Sequence, residues 1–104
     1  MTREELLHRV QELLREAYSD RLQGVILYGS EARQEAEEDS DLDILVLLRG
    51  PVNFARELRK IINTLYGLQL EVIRPLDARP VDVDQFNAQD RALYQNAKRE
   101  GIFA

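Results

Sequence analysis

Two short fragments, separated by ten residues, constrain this chain more than any other feature: Gly29-Ser30, and Asp41-Leu42-Asp43. The first closes the apolar run Val25-Ile26-Leu27-Tyr28, and the second opens the apolar run Ile44-Leu45-Val46-Leu47-Leu48. A β-branched run that stops at Gly-Ser reads as a strand entering a tight turn. Glycine permits positive φ and leaves no side chain between the backbone N–H groups and a ligand phosphate. Ser30 adds a hydroxyl that caps the next turn or meets a phosphate oxygen. The unbroken apolar half of 42–48 suits a strand buried on both faces.

Strand side chains alternate, so Asp41 and Asp43 point the same way, about 7 Å apart along the strand. Two unit charges brought to 4 Å repel by roughly 4 kcal/mol at an effective dielectric of about 20. A converging pair therefore needs a cation, and a divalent ion with oxygen ligands is the simplest one. Magnesium binds through one or two carboxylates plus substrate phosphates, which would join the Asp pair to the Gly-Ser turn in one site. Between the two fragments, Glu31 to Glu38 carries good helix formers with acids near its start, consistent with one or two helical turns.

Gly29-Ser30, ten intervening positions and Asp41-x-Asp43 resemble the signature of the DNA polymerase β-like nucleotidyltransferase superfamily. The likeness is greatest to its minimal nucleotidyltransferases, through Ala32-Arg33 after Gly-Ser, Ser40 before the Asp pair, and the short chain. Many of those are antitoxins paired with HEPN-domain ribonuclease toxins. The resemblance implies an α+β fold with a small mixed sheet packed by helices. It implies that the strand carboxylates and a third acid on a later strand hold two Mg²⁺ ions. It also implies that Gly29 and Ser30 seat the triphosphate of ATP, with Arg33 as a further phosphate-binding candidate. The matching third acid is taken as Glu71, in Leu68-Gln69-Leu70-Glu71-Val72-Ile73, making Asp41, Asp43 and Glu71 the expected catalytic and metal residues. Glu71 could then also accept the proton of the attacking hydroxyl. Two departures stand out: Gln34 where many relatives carry glycine, and Glu where Asp is commoner as the third ligand.

With 104 residues the chain fits one domain, 1–104, with room for a core that needs no disulfide or structural metal. Its lack of cysteine excludes disulfide frameworks, thiol nucleophiles and thiolate metal sites. A charged amphipathic start and no long apolar segment point to a cytoplasmic protein without membrane insertion. The formal net charge of −5 argues against direct nucleic-acid binding, which depends on phosphate neutralisation. A single nucleotide can still be held locally by metal, turn amides and arginines, and only Lys60 and Lys98 of the 14 basic residues are lysine.

Thr2 and Glu5 form a capping box ahead of Leu6, Leu7, Val10, Leu13, Leu14 and Ala17, which predicts an amphipathic helix over 3–18. Phe54, Leu58, Ile61, Ile62 and Leu65 predict a second helix ending at Gly67, followed by a strand over 68–73. Pro75 and Pro80 bracket an extended linker, and Phe86, Leu93, Tyr94 and Ala97 mark a last helix ending before Gly101. The order predicts helices packed on one main side of the sheet. Whether strands 42–48 and 68–73 run parallel is left open.

Plainer readings exist for each feature. Acids at strand entrances are commonly just polar, and Arg33 suits a surface helix. Asp39, Asp41 and Asp43 occupy the first, third and fifth places of a calcium loop, but Ile44 and Gly50 stand where that loop needs glycine and glutamate. His8 sits four residues from Glu4 and Glu12 and reads as a solvated surface residue. The expected activity is transfer of AMP from ATP to a hydroxyl, by resemblance a tyrosine of a HEPN toxin that this chain neutralises. Its rivals are a catalytically inactive module that blocks a partner by contact, and a transferase acting on a small molecule such as an aminoglycoside.

Overall fold

The computed structural model describes residues 1–29, 41–89 and 91–104. Helix α1 spans Arg3–Tyr18. The Thr2 hydroxyl accepts from the Glu5 N–H at 3.1 Å, and the Glu5 carboxylate accepts from the Thr2 N–H at 3.5 Å, so the capping box forms as expected. The helix buries Leu6, Leu7, Val10, Leu14 and Tyr18, a stripe at helical spacing. A single 3₁₀ turn, Ser19–Arg21, leads into strand β1, Leu22–Tyr28. The helical turns expected after Ser30 lie outside the described residues.

Strand β2, Leu42–Leu48, is buried along both faces apart from Asp43, matching its apolar run. It pairs antiparallel with β1 and parallel with β3, Leu76–Asp82. Helix α2, Phe54–Glu71, makes the crossover that a parallel pair requires. Helices α3, Val83–Ala88, and α4, Ala92–Glu100, follow, and a two-residue strand β4, Ile102–Phe103, returns to pair with β1. The four-stranded mixed sheet has the order β3-β2-β1-β4.

Three expectations change here. The strand expected over 68–73 is instead the last turn of α2 and its exit. Ile61, Leu65 and Leu68 are buried at spacings of four and three, so the helical stripe runs straight through Gly67, where the chain faces open space. The expected Pro-bracketed linker is strand β3 itself. Proline is compatible with a sheet edge, and β3 lies at the edge. The Gln69 amide stitches the new boundary, accepting from the Leu76 N–H at 2.7 Å and donating to the Arg74 carbonyl at 2.9 Å. Finally, the last helix is two helices, because Gln89 takes left-handed φ (54°) and ends α3.

The larger helical layer does lie on one side: α1 and α2 pack on Val25, Leu27, Leu42, Ile44, Val46 and Leu48. The opposite face is covered as well, where Phe86, Tyr94 and Ala97 of α3 and α4 pack on Ile26, Leu45, Leu47 and Val81. Among the described residues no helix is long and apolar enough to cross a membrane.

One buried carboxylate ties the main layer together. Glu57, 2% exposed, accepts from the Tyr18 hydroxyl at 3.2 Å and from Arg21 Nη2 at 3.0 Å. Arg21 also donates to the carbonyls of Arg49 at 2.9 Å and Pro51 at 2.8 Å. Burial works to raise the Glu57 carboxyl, but Arg21, the Tyr18 hydroxyl and Arg56 outweigh it and hold it below its ordinary value. Burial and the Glu57 charge push the Tyr18 hydroxyl up to about 12.

Gly67→Ala should raise unfolding stability by about 0.5–1 kcal/mol in urea titration, since the added methyl meets nothing in a helical backbone. Arg21→Ala should cost about 3 kcal/mol at neutral pH by leaving Glu57 buried and underpaired. Because the folded carboxyl of Glu57 is depressed, its contribution is present above the ordinary carboxylate range and lost as pH falls through the folded value. Urea midpoints of the two proteins should therefore converge in acid.

Candidate active site

Register builds the site. Tyr28, the last residue of β1, pairs with Asp43 of β2, and Asp43 pairs with Asp77 of β3. Three strands thus bring one end to the same level, on the sheet face that also carries Leu45 and Leu47 toward α3 and α4. Asp41, immediately before β2, falls on that face by alternation and is exposed.

Asp43 is half-buried and raised above the ordinary aspartate value. Burial contributes most, followed by the negative charges of Asp77 and Asp41 and a hydrogen bond shared with the Asp77 carboxyl, with Arg79 pulling the other way. Burial likewise raises the Tyr28 hydroxyl, opposed by Arg79 and reinforced by Asp43 and Asp77. Asp43 therefore holds a proton more readily than an isolated aspartate, as a half-buried carboxyl among like charges does.

Gly29 follows Tyr28 with φ of 74°, and a Cβ there would stand 2.6 Å from Asp43 Oδ2. Both the conformation and the approach require glycine. A cleft of about 180 Å³ opens beside it, between the end of β1 and α4, lined by Tyr28, Leu93, Asn96, Ala97, Glu100 and Gly101. Ser30 and Arg33 lie outside the described residues.

Glu71 is not brought to this site. It ends α2 in the helical layer, on the far side of the connection that leads into β3, and its carboxylate accepts from Arg9 of α1 at 3.2 Å. The acid in register with Asp43 on the neighbouring strand is Asp77. Its signal was present in Asp77-Ala78-Arg79-Pro80-Val81, where Asp77, Arg79 and Val81 alternate with Ala78 and Pro80, but the two prolines favoured a linker reading.

Among the described residues, no three His, Cys, Asp or Glu side chains are gathered closely enough to ring a metal as they stand. Asp43 and Asp77 nonetheless form the nucleus of an all-oxygen donor set. They stand in register on neighbouring strands, a divalent cation there would offset the charge that Asp77 and Asp41 place on Asp43, and Asp41 is exposed just before β2 to complete the set. The residues present fit a hard cation such as Mg²⁺.

Residues 5–102 match the Nucleotidyltransferase domain family. The chain belongs to this family. A relative from Methanocaldococcus jannaschii named "Putative protein adenylyltransferase" is 31% identical over 71 residues, covering 66% of this chain and 70% of its own length. A crystal structure of a toxin-antitoxin with AMP-PNP superposes with a TM-score of 0.66 at 20% identity, covering 98% of this chain and 72% of the other. A structure described as a "putative minimal nucleotidyltransferase" gives a TM-score of 0.59 at 27% identity, covering 98% and 95%. The architecture is that of the polymerase β-like nucleotidyltransferases, as the Gly-Ser and Asp-x-Asp fragments imply.

For a nucleotidyltransferase domain the demand on Gly29 is local and severe. Gly29→Ala should destabilise the fold by about 1–2 kcal/mol from the left-handed conformation alone, measured by urea unfolding. It should also displace Asp43, seen as loss of nucleotide binding in calorimetry beyond what unfolding explains.

Proposed function

We propose that this chain transfers AMP from ATP to a hydroxyl of a partner protein. One observation carries this reading: Asp43 and Asp77 stand in register on neighbouring parallel strands, directly beside the positive-φ Gly29. The family membership, and a relative whose name is that of a protein adenylyltransferase, support the reaction class.

Asp41, Asp43 and Asp77 would hold Mg²⁺, with two ions as in the resembled superfamily, and Asp77 takes the place first expected of Glu71. When bound, the metal supplies charge neutralisation for the triphosphate and lowers the pKa of the attacking hydroxyl. The chain's own residues do the rest. The Gly29 turn, with Ser30 after it, seats the β- and γ-phosphates, and Arg33 lends a guanidinium to them. The acceptor oxygen attacks the α-phosphorus, the α–β anhydride bond breaks, and pyrophosphate leaves with the bonding electrons. The acceptor proton passes to the carboxylate of Asp77.

The acceptor in this reading is a tyrosine of a HEPN-type ribonuclease toxin encoded alongside, and modification makes this chain its antitoxin in the cytoplasm. The fold shared with a toxin-antitoxin structure holding AMP-PNP supports that assignment. The cleft beside Gly29 is small for both a nucleotide and an acceptor, which fits an acceptor surface supplied by a second protein.

Incubation with labelled ATP, Mg²⁺ and the adjacent gene product should put label on that partner. Asp43→Asn and Asp77→Asn should each lower labelling by about a hundredfold or more, beyond what changes around a metal's ligands cost. Glu71→Gln should leave it unchanged. Partner binding with no label transfer would instead establish a contact-only module.

A further inference from the structure

Arg79 lies two residues after Asp77 on β3, so the two side chains share a face. Its guanidinium addresses both oxygens of that carboxylate, Nε to Oδ1 at 3.4 Å and Nη2 to Oδ2 at 3.3 Å. Its charge also reaches Asp43 and Tyr28. We propose that Arg79 is a resident counter-cation whose fork holds Asp77 in the place of a divalent ion, so that the carboxylates take up metal only by displacing it.

The contrast with Arg21 shows why this pair is exchangeable. Arg21 meets Glu57 at 3.0 Å, with the carboxylate 3% exposed and two carbonyls fixing the guanidinium. Arg79 meets Asp77 at longer range with side chains 51% and 35% exposed, and no carbonyl among the described contacts anchors it. An exposed pair of this kind holds weakly and re-forms quickly. It is nevertheless placed on the one carboxylate whose register puts it beside Asp43.

A guanidinium fork and a divalent cation use the same carboxylate oxygens, so occupancy by one excludes the other. Without Arg79, the charges of Asp41, Asp43 and Asp77 would be uncompensated and would bind free cations readily. With it, metal alone competes poorly. Phosphate oxygens arriving with the metal shift the balance twice, by adding ligands to the ion and by offering the released guanidinium a new bidentate partner. Metal uptake is thereby tied to nucleotide uptake.

This rests on the carboxylate reading under Proposed function, and Mn²⁺ binding by the full chain, followed by electron paramagnetic resonance without nucleotide, tests the two separately. Arg79→Ala should tighten Mn²⁺ binding about tenfold, the effect of removing a unit charge roughly 7 Å from a divalent ion in a solvent-exposed setting. Arg79→Lys keeps the charge and loses the fork, and should tighten binding about threefold. Circular dichroism melting checks that both variants fold. A lysine variant that titrates like the native chain would reduce Arg79 to background charge and overturn the proposal. Weaker Mn²⁺ binding in either variant would overturn it too, by making Arg79 a builder of the site. If neither the native chain nor Arg79→Ala takes up Mn²⁺, with ATP or without it, or if Asp43→Asn leaves uptake unchanged, the carboxylate reading itself falls and the Arg79 proposal with it.

Discussion

The central strand fixes everything downstream of it. Leu42, Ile44, Val46 and Leu48 face the α1/α2 layer, while Asp43, Leu45 and Leu47 face α3 and α4. A slip of one residue would exchange these sets and drive the Asp43 carboxylate into the main core. Each fully buried aliphatic side chain is worth about 1.5–3 kcal/mol, and an unpaired buried carboxylate is worse than any of them is good. The apolar pattern therefore holds Asp43 at its level as firmly as it holds the fold. The neighbouring pairings then place Tyr28 and Asp77 on either side of it.

How much of this was readable beforehand follows the same logic. Where a pattern was long or doubly determined, as in the capped α1 stripe or the all-apolar β2, the sequence named both the element and its exposed face. Gly29 was readable because positive φ and the close approach to Asp43 both favour glycine there. The stretch from Gly67 to Asp82 was not. Alternation over six residues at 68–73 is also what the end of an amphipathic helix produces when one buried position, Leu68, is followed by exposed Leu70 and Ile73. Glycine and proline then misled as punctuation. Gly67 sits on an open helix face that tolerates it, and Pro80 sits in an edge strand that needs no donor from it. That reading put Glu71, which ends α2, where the proposed function has Asp77 of β3.

That displacement carries a physical lesson about parallel sheets. A third carboxylate beside Asp43 must come from a strand whose direction and register are set by a crossover helix, so its position depends on where that helix ends. Gln69 marks the end of α2 in a way no periodicity reveals, with both halves of its amide spent on the turn into β3. Four residues, 72–75, separate the end of α2 from the start of Leu76–Asp82 pairing with β2, so a turn more or less of helix changes which acid arrives.

Glu57 and Asp43 are both partly or wholly withdrawn from water, and their opposite behaviour separates scaffold from candidate site. Glu57 is the more buried, yet its carboxyl is held below the ordinary value, because Arg21, Tyr18 and Arg56 surround it with donors and positive charge. Its electrostatics are satisfied by the protein, and nothing further is required of it. Asp43 is less buried, yet raised, first by that burial and then by the charges of Asp77 and Asp41, against which the exposed Arg79 works. A fold under selection for stability alone would not gather like charges around a half-buried aspartate. In the proposed reading the like charges around Asp43 are met by a cation, and the Gly29 turn beside it is where an anion approaches the same backbone. That reading needs both features, since neither alone would be complementary to a metal-bound phosphate chain.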